Sequence, residues 1–338
     1  MRIKRFVPKL KKEWIKNIEK YLESYNSPTD DITRVLEERI CEYTKRKYSL
    51  SVSSATTGIL LSLMCLPKGK VLLPNYGYPA ALMCCRYLGL TPIFLPMKKE
   101  TLSVDPDQID KFIDKDVVAM VHVETNGRLS SDIQKIKEVC VQNRIFLIED
   151  AAPSILQSFE NISAGSFGDI GIFSFSHTKP ICCCEGGTIV TDSEEFYEKI
   201  KTIRSIDNYC SQNLSLNFSL SPILSSFLIP QIEEIEQIKN RYSKIHNLYK
   251  EVNLKIFEDK TTNNYSSISY IAKNPEKVCK KLEFYKIEYR YKHYPIFDKN
   301  LDETSRWIEH NIIDIPNYPD ITRDEIKTVS SLIGAIDK

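Results

Sequence analysis

Glycine is scarce in this chain, at 11 of 338 residues, and tryptophan occurs twice. So little glycine excludes collagen-like and low-complexity architectures, and it makes any local cluster of glycines informative. No apolar run approaches the ~18 residues that a membrane helix needs. Neither sign of charge is in excess, because 46 Lys and Arg against 45 Asp and Glu leave a net charge of +1. A global electrostatic grip on nucleic acid or an anionic membrane is therefore not expected. What is present is ordinary for a folded soluble protein: 42% hydrophobic and 27% charged residues, too apolar for disorder. The length corresponds to roughly two domains at ~100–200 residues each.

Basic residues gather at the N-terminus (Arg2, Lys4, Arg5, Lys9, Lys11, Lys12, Lys16) without the apolar core of a secretory signal. The favoured reading is a solvated amphipathic helix with Leu10, Trp14 and Ile15 turned inward. Ten cysteines include the runs Cys84–Cys85 and Cys182–Cys183–Cys184. Neither run has zinc-ligand spacing with histidine, so free thiols in a reducing cytoplasm are expected and no metal site is.

Two helices are expected first, the second from about Asp30–Asp31 through Val35, Leu36 and Ile40. Continuous apolar runs then alternate with helical stretches. The runs are Tyr48–Val52, Lys70–Leu73, Thr91–Leu95, Val117–Val121 and Ile145–Ile148. The intervening helices are predicted over Thr56–Leu66, Pro79–Leu88, Pro106–Ile113 and Ser131–Asn143. This pattern predicts an α/β fold whose mostly parallel sheet is covered on both faces, a three-layer α/β/α domain. Ile170–Phe175 and Gly187–Val190 add two strands, followed by a helix from Ser193. A long helical stretch, Ile223 to about Val252, carries Ile232, Ile235, Ile238, Tyr242, Ile245 and Tyr249 at helical spacing. It forms the joint between a large domain (1–228) and a smaller C-terminal α+β domain (229–338).

Five of the glycines (Gly165, Gly168, Gly171, Gly186, Gly187) fall in one window that also holds Ser174, His177, Lys179 and Glu185. Such clustering marks tight turns and close backbone approach to a ligand. Asp150 ends a buried strand, and ligands of open α/β sheets bind beyond the carboxyl ends of the strands. The segment from Ser51 to Gly58 places small hydroxyl residues between a strand and a helix N-terminus, an anion site by its free N–H groups and dipole. It lacks the Gly-Lys-Ser/Thr ending of a Walker loop. Pro74–Tyr78 adds a possible aromatic stacking face. An anion cradle, a strand-end carboxylate, a lysine in a glycine-rich turn and a stacking aromatic together suit pyridoxal phosphate.

These motifs resemble the DegT/DnrJ/EryC1/StrS sugar aminotransferases, of the fold-type I pyridoxal-phosphate class. The resemblance covers most of the chain and is carried by 51–56, 71–76, 88–94, 148–152, the stretch 165–179, Glu185–Gly187, His293–Pro295 and 315–322. It implies that Lys179 is the Schiff-base lysine and proton carrier, with its amine held below the usual lysine range. It implies that Asp150 partners the pyridinium nitrogen. Ser174, Ala55 and Thr56 match phosphate contacts, and Tyr78 matches the ring-stacking aromatic. Asn217 matches a residue that the family donates across a homodimer to the phosphate. His177 and His293 also lie in matching motifs and are read as structural. The implied activity moves an amino group from an amino-acid donor, expected to be glutamate, to a keto group of a nucleotide-linked deoxy sugar. Polysaccharide or secondary-metabolite sugars are the implied products.

The chain departs from the family pattern in several places. Pro153 stands where a polar residue near the cofactor hydroxyl is usual, and Glu124-Thr-Asn126 replaces a His-Leu-Tyr type sequence. Ala55 replaces a glycine, Pro180–Cys184 replaces small hydroxyl or glycine residues, and Phe218–Ser219 stands where an arginine follows Asn217. The N-terminal substrate loop is shortened to Tyr25–Pro28. The cofactor-side set is kept and the sugar-side set is eroded, so a non-catalytic homologue acting as a binding or scaffold subunit is the competing expectation. A third class, the related sugar dehydratases, carries histidine in place of the lysine, and Lys179 argues against it.

Overall fold

The computed structural model describes residues 2–23, 30–205, 215–259 and 266–337. Its centre is a seven-stranded sheet: β1 Tyr48–Val52, β2 Lys70–Pro74, β3 Thr91–Leu95, β4 Val117–Val123, β5 Phe146–Asp150, β6 Ile170–Ser174 and β7 Gly187–Thr191. The spatial order is β1-β7-β6-β5-β4-β2-β3. Strand β7 runs antiparallel to both neighbours, and the other pairings are parallel. Every residue of β6 and β7 is buried, as expected of strands covered on both faces.

The helices that cover it in chain order are α1 Lys12–Glu23, α2 Asp30–Thr44, α3 Ala55–Met64, α4 Ala80–Leu88, α5 Ile133–Asn143 and α6 Glu194–Arg204, followed by α7 Pro222–Glu233 and α8 Ile235–Glu251. On one face Ile59, Leu61 and Leu63 of α3 join Ile172 and Ile189 in a single apolar core. On the other, Ile136 and Cys140 of α5 join Leu72 and Leu147. The C-terminal part contains β8 Ile268–Ile271, α9 Pro275–Phe284, β9 Arg290–Tyr291, α10 Glu303–Asn311, β10 Ile312–Ile315 and α11 Arg323–Gly334. Its three strands form an antiparallel sheet in the order β8-β10-β9.

Three local expectations differ from the structure. The N-terminal basic segment is not one helix, because Ile3 pairs in parallel with Ile287 and the helix starts only at Lys12. Trp14 is buried edge-on against Phe227, whereas Leu10 and Ile15 are 56% and 46% exposed. Leu10 precedes the helix, and Ile15 sits about 100° round it from Trp14, so one packed stripe cannot take all three. Pro106–Phe112 is a 3-10 helix, started by Asp105, whose carboxylate accepts the Asp107 N–H. The long helical stretch is interrupted at Glu234 (φ −95°, ψ 11°), four residues after Pro230. A proline inside a helix removes one donor and crowds the preceding turn. The nine described cysteines are free; Cys182 and Cys183 are buried and Cys184 is exposed.

Candidate active site

The carboxyl ends of β1, β2, β4, β5 and β6 and the amino end of the antiparallel β7 meet at one cavity of about 390 Å³. At one end of it lies the start of α3. Ser54 adopts an extended backbone and its Oγ accepts the Thr57 N–H at 3.1 Å. The first amides of a helix have no intrahelical acceptor, and among the described hydrogen bonds none uses the N–H of Ala55 or Thr56. Ala55 and Thr56 line the cavity together with Ser174, which is buried and whose Oγ accepts the Ser176 N–H at 3.3 Å. Gly187 makes this approach possible, since a Cβ there would lie 2.6 Å from the Ala55 nitrogen.

Asp150 ends β5, Lys179 lies in the turn that follows the adjacent β6, and both line the same cavity. Asp150 is 3% exposed, and one carboxylate oxygen accepts the Ala152 N–H at 3.2 Å. No helix starts there, so Asp150 is not a helix cap. Burial pushes its carboxyl up to about 6, against the pull of the Ala152 N–H and of Lys179. Burial pushes Lys179 down to about 8; Asp150 opposes that shift, and the guanidinium groups of Arg290 and Arg5 add to it. The two groups therefore sense each other across the cavity.

The turn that carries Lys179 is closed by its own backbone, Lys179 N–H donating to the Ser176 carbonyl at 3.0 Å and His177 N–H to the Cys184 carbonyl at 3.0 Å, while the glycine turn that precedes β6 is fixed by Glu149. Its buried carboxylate accepts the N–H groups of Gly165 (2.6 Å), Phe167 (2.8 Å) and Gly168 (3.1 Å). Gly165 has φ +78°, and a Cβ there would fall 2.4 Å from the Phe173 ring. Glu124, also fully buried, lines the cavity, and burial followed by the Glu149 carboxylate raises its carboxyl well above the usual range. Burial beside a second carboxylate thus favours the neutral form of Glu124.

The opposite wall comes from the C-terminal part and from Arg5 in the N-terminal segment that Ile3 pairs to Ile287. Buried Asn75 clasps the segment after β9: its side chain donates to the Asp298 carbonyl (2.8 Å) and to Asp302 (2.8 Å), and accepts the Asp298 N–H (2.7 Å). This holds His293 and Tyr294 over the cavity, with Tyr294 edge-on to Tyr78 at 6.3 Å. Arg290 donates from Nε to Asp314 at 2.8 Å and from a terminal nitrogen to the Tyr294 hydroxyl at 3.1 Å. Burial works to raise Asp314, but the charge and hydrogen bonds of Arg290, the Ser269 hydroxyl and the charge of Arg128 together outweigh it and hold the carboxyl below its usual value.

Six of the residues singled out from sequence, Ala55, Thr56, Tyr78, Asp150, Ser174 and Lys179, are thus brought to one cavity. Asn217 is not: it is exposed, on the segment that pairs Ser219 with Val52, and does not line the cavity of its own chain. His177 and His293 are exposed cavity-lining residues rather than packed structural ones. Arg5, Arg290 and Tyr294 are cavity residues that the sequence alone did not single out. Arg5 was counted in a solvated basic tail, and only the pairing of Ile3 with Ile287, which has no local signature, shows where it goes.

Free amides at a helix start, a buried carboxylate, a desolvated lysine and an exposed tyrosine match the donor and acceptor needs of a phosphate, a pyridine nitrogen, an aldehyde and a ring face. The residues present therefore fit pyridoxal phosphate, and the fold and site are those of an aminotransferase-type α/β enzyme. The chain belongs to the DegT/DnrJ/EryC1/StrS aminotransferase family, whose model matches residues 8–333. It is 23% identical over 348 residues to GDP-perosamine synthase from Vibrio cholerae, a match covering 95% of this chain and 92% of that protein. The aminotransferase PseC of Helicobacter pylori, involved in pseudoaminic acid biosynthesis, superposes with a TM-score of 0.89 at 19% identity, covering 100% of this chain and 99% of that one. GDP-4-keto-6-deoxy-D-mannose-3-dehydratase from E. coli, with bound hydrated PLP, gives a TM-score of 0.87 at 20% identity, covering 98% and 100%. No helix among the described residues is long and apolar enough to cross a membrane.

Proposed function

We propose that this protein is a pyridoxal-phosphate-dependent aminotransferase that takes an amino group from an amino acid, with glutamate as the donor, and delivers it to a keto group of a nucleotide-linked deoxy sugar. The single observation that carries the reading is the sharing of one cavity by Asp150, Lys179 and the free amides at the start of α3. When bound, the cofactor supplies an aldehyde that condenses with amines and a protonated ring that accepts electrons. Ala55, Thr56 and Ser174 bind its phosphate, and Tyr78 covers its ring. Asp150, ionised, holds the proton on the pyridine nitrogen. Lys179, with its amine depressed to about 8 by burial, is partly neutral near pH 8, and moves a proton at the substrate carbon. The relatives support the substrate class: one is named for making GDP-perosamine and another for a step toward pseudoaminic acid.

The same reading includes a homodimer in which Asn217 reaches the partner's phosphate site, a division into domains 1–228 and 229–338, a cytoplasmic location and a product destined for polysaccharide or secondary-metabolite sugars. Retention of Lys179 favours amine transfer over dehydration and over a purely structural subunit. The test is incubation of cofactor-loaded protein with L-glutamate and a panel of nucleotide-linked keto sugars, followed by mass spectrometry. The reading requires 2-oxoglutarate and an amino sugar in equal amounts. Loaded protein that leaves glutamate unchanged would support the scaffold reading instead.

A further inference from the structure

Arg5 is a positioned cation whose guanidinium makes no ion pair among the described residues. The pairing of Ile3 with Ile287 anchors its strand, the Glu288 carboxylate accepts its backbone N–H at 3.2 Å, and its carbonyl accepts the Asn317 N–H at 2.8 Å. The side chain is thereby delivered to the cavity, half-buried and facing Lys179, Arg290 and Tyr294. No described hydrogen bond or ion pair uses its guanidinium. The nearest acids are already engaged: Glu288 pairs with Arg2 at 2.7 Å, and Asp314 takes Arg290 from two nitrogens. Burial, then the like charge of Arg290, lowers the guanidinium from its usual value, and the more distant pull of Asp314 and Glu288, both paired elsewhere, does not make up the difference.

We infer that Arg5 receives the α-carboxylate of the amino-acid donor. The inference rests on the aminotransferase reading above and deepens it. Both substrates of such an enzyme react beside Lys179, and the Arg5 charge is felt at that lysine. In an amino acid the carboxylate is bonded to the very carbon that carries the reacting nitrogen. In a nucleotide-linked sugar the diphosphate is separated from a keto carbon by part of the sugar ring. A guanidinium close to Lys179 therefore suits the first anion, and its planar fork matches a carboxylate in two parallel hydrogen bonds. Arg290 cannot serve as well, because Asp314 already neutralises it. The arginine that the family pattern places after Asn217 is missing here, and of the two arginines that line the cavity among the described residues Arg5 is the one without an ion pair.

The test compares wild type, Arg5→Gln and Arg5→Lys as cofactor-loaded protein. Calorimetry measures binding of glutarate, an unreactive dicarboxylate, and separately of GDP; colour change on adding L-glutamate gives the donor's half-saturation. Arg5→Gln should weaken glutarate and glutamate by roughly 10- to 100-fold, the usual effect of one charge-assisted contact, and leave GDP within about twofold. Arg5→Lys should recover part of the loss. Unchanged glutamate and glutarate constants in Arg5→Gln overturn the inference, as does a loss confined to GDP, which would assign Arg5 to the diphosphate. Should Arg5→Gln fail to hold cofactor, Arg5→Lys decides alone: donor binding between that of wild type and none supports the assignment, and binding equal to wild type contradicts a bidentate role. A wild-type protein that does not respond to glutamate at all refutes the aminotransferase reading rather than the role of Arg5.

Discussion

Asp150 is costly to the protein that carries it. An ordinary aspartate titrates near 3.8, and burial raises this one to about 6. Between those values the folded state holds a proton that the unfolded state has released. Stability of the cofactor-free protein therefore falls as pH rises from about 4 to 6, and stays lower above. The two-unit shift corresponds to about 2–3 kcal/mol. Asp150→Asn removes the penalty, so urea denaturation of cofactor-free Asp150→Asn should show a gain at pH 7 that vanishes below pH 4. The same substitution should slow amine transfer by roughly 100-fold or more, the scale of removing one member of a buried charge pair. A variant more stable yet nearly inactive is the signature of a group kept for chemistry. Lys179 behaves with the opposite sign. Its folded value of about 8 lies below the 10.5 of an ordinary lysine, so stability rises as pH climbs between them. Lys179→Met should abolish that rise, which pH-dependent melting of the cofactor-free proteins measures.

At the scale of elements, the start of α3 and the glycine turn beside it act together. Ser54→Ala removes the oxygen that accepts the Thr57 N–H, and should cost about 1 kcal/mol of stability. Gly187→Ala drives a Cβ to 2.6 Å from the Ala55 nitrogen. It should raise the cofactor dissociation constant by roughly 10-fold or more, since the amides must move off their aim; fluorescence titration with pyridoxal phosphate measures it. This part of the site was legible in the sequence. Gly187, Ser54 and the helix after them carry local signals, and so do the alternating apolar runs that fixed the α/β class. Asp150 and Lys179 were legible for the same reason, one at a strand end and the other in a glycine-rich turn. The opposite wall was not. Arg5 enters the cavity through pairing with a strand segment more than 280 residues away, and the Asn75 clasp on Asp298 and Asp302 joins positions with no common motif. The interruption at Glu234 and the exposure of Leu10 and Ile15 went unread because helical spacing marks which residues share a face without marking where helices stop.

At the scale of the whole molecule, Asn217 gives the proposed assembly its clearest test. It is exposed and lies outside its own cavity, between exposed Leu216 and the strand-paired Ser219, with exposed Ile223 a turn further on. An exposed apolar rim of that kind is suited to a partner copy. Sedimentation should report twice the 39.0 kDa chain mass. Mixing Lys179→Ala with Asn217→Ala protein should restore activity in hybrid dimers, because one of the two shared sites then keeps both residues. A monomer with full activity contradicts this assembly. The central claim, however, is chemical, and one measurement reaches it most directly. Purified protein is loaded with pyridoxal phosphate, reduced with borohydride, digested and mapped by mass spectrometry. The account predicts a yellow protein and a fixed cofactor on the peptide that contains Lys179, with no labelling of Lys179→Ala. A colourless protein, or a cofactor fixed on some other lysine, would contradict it.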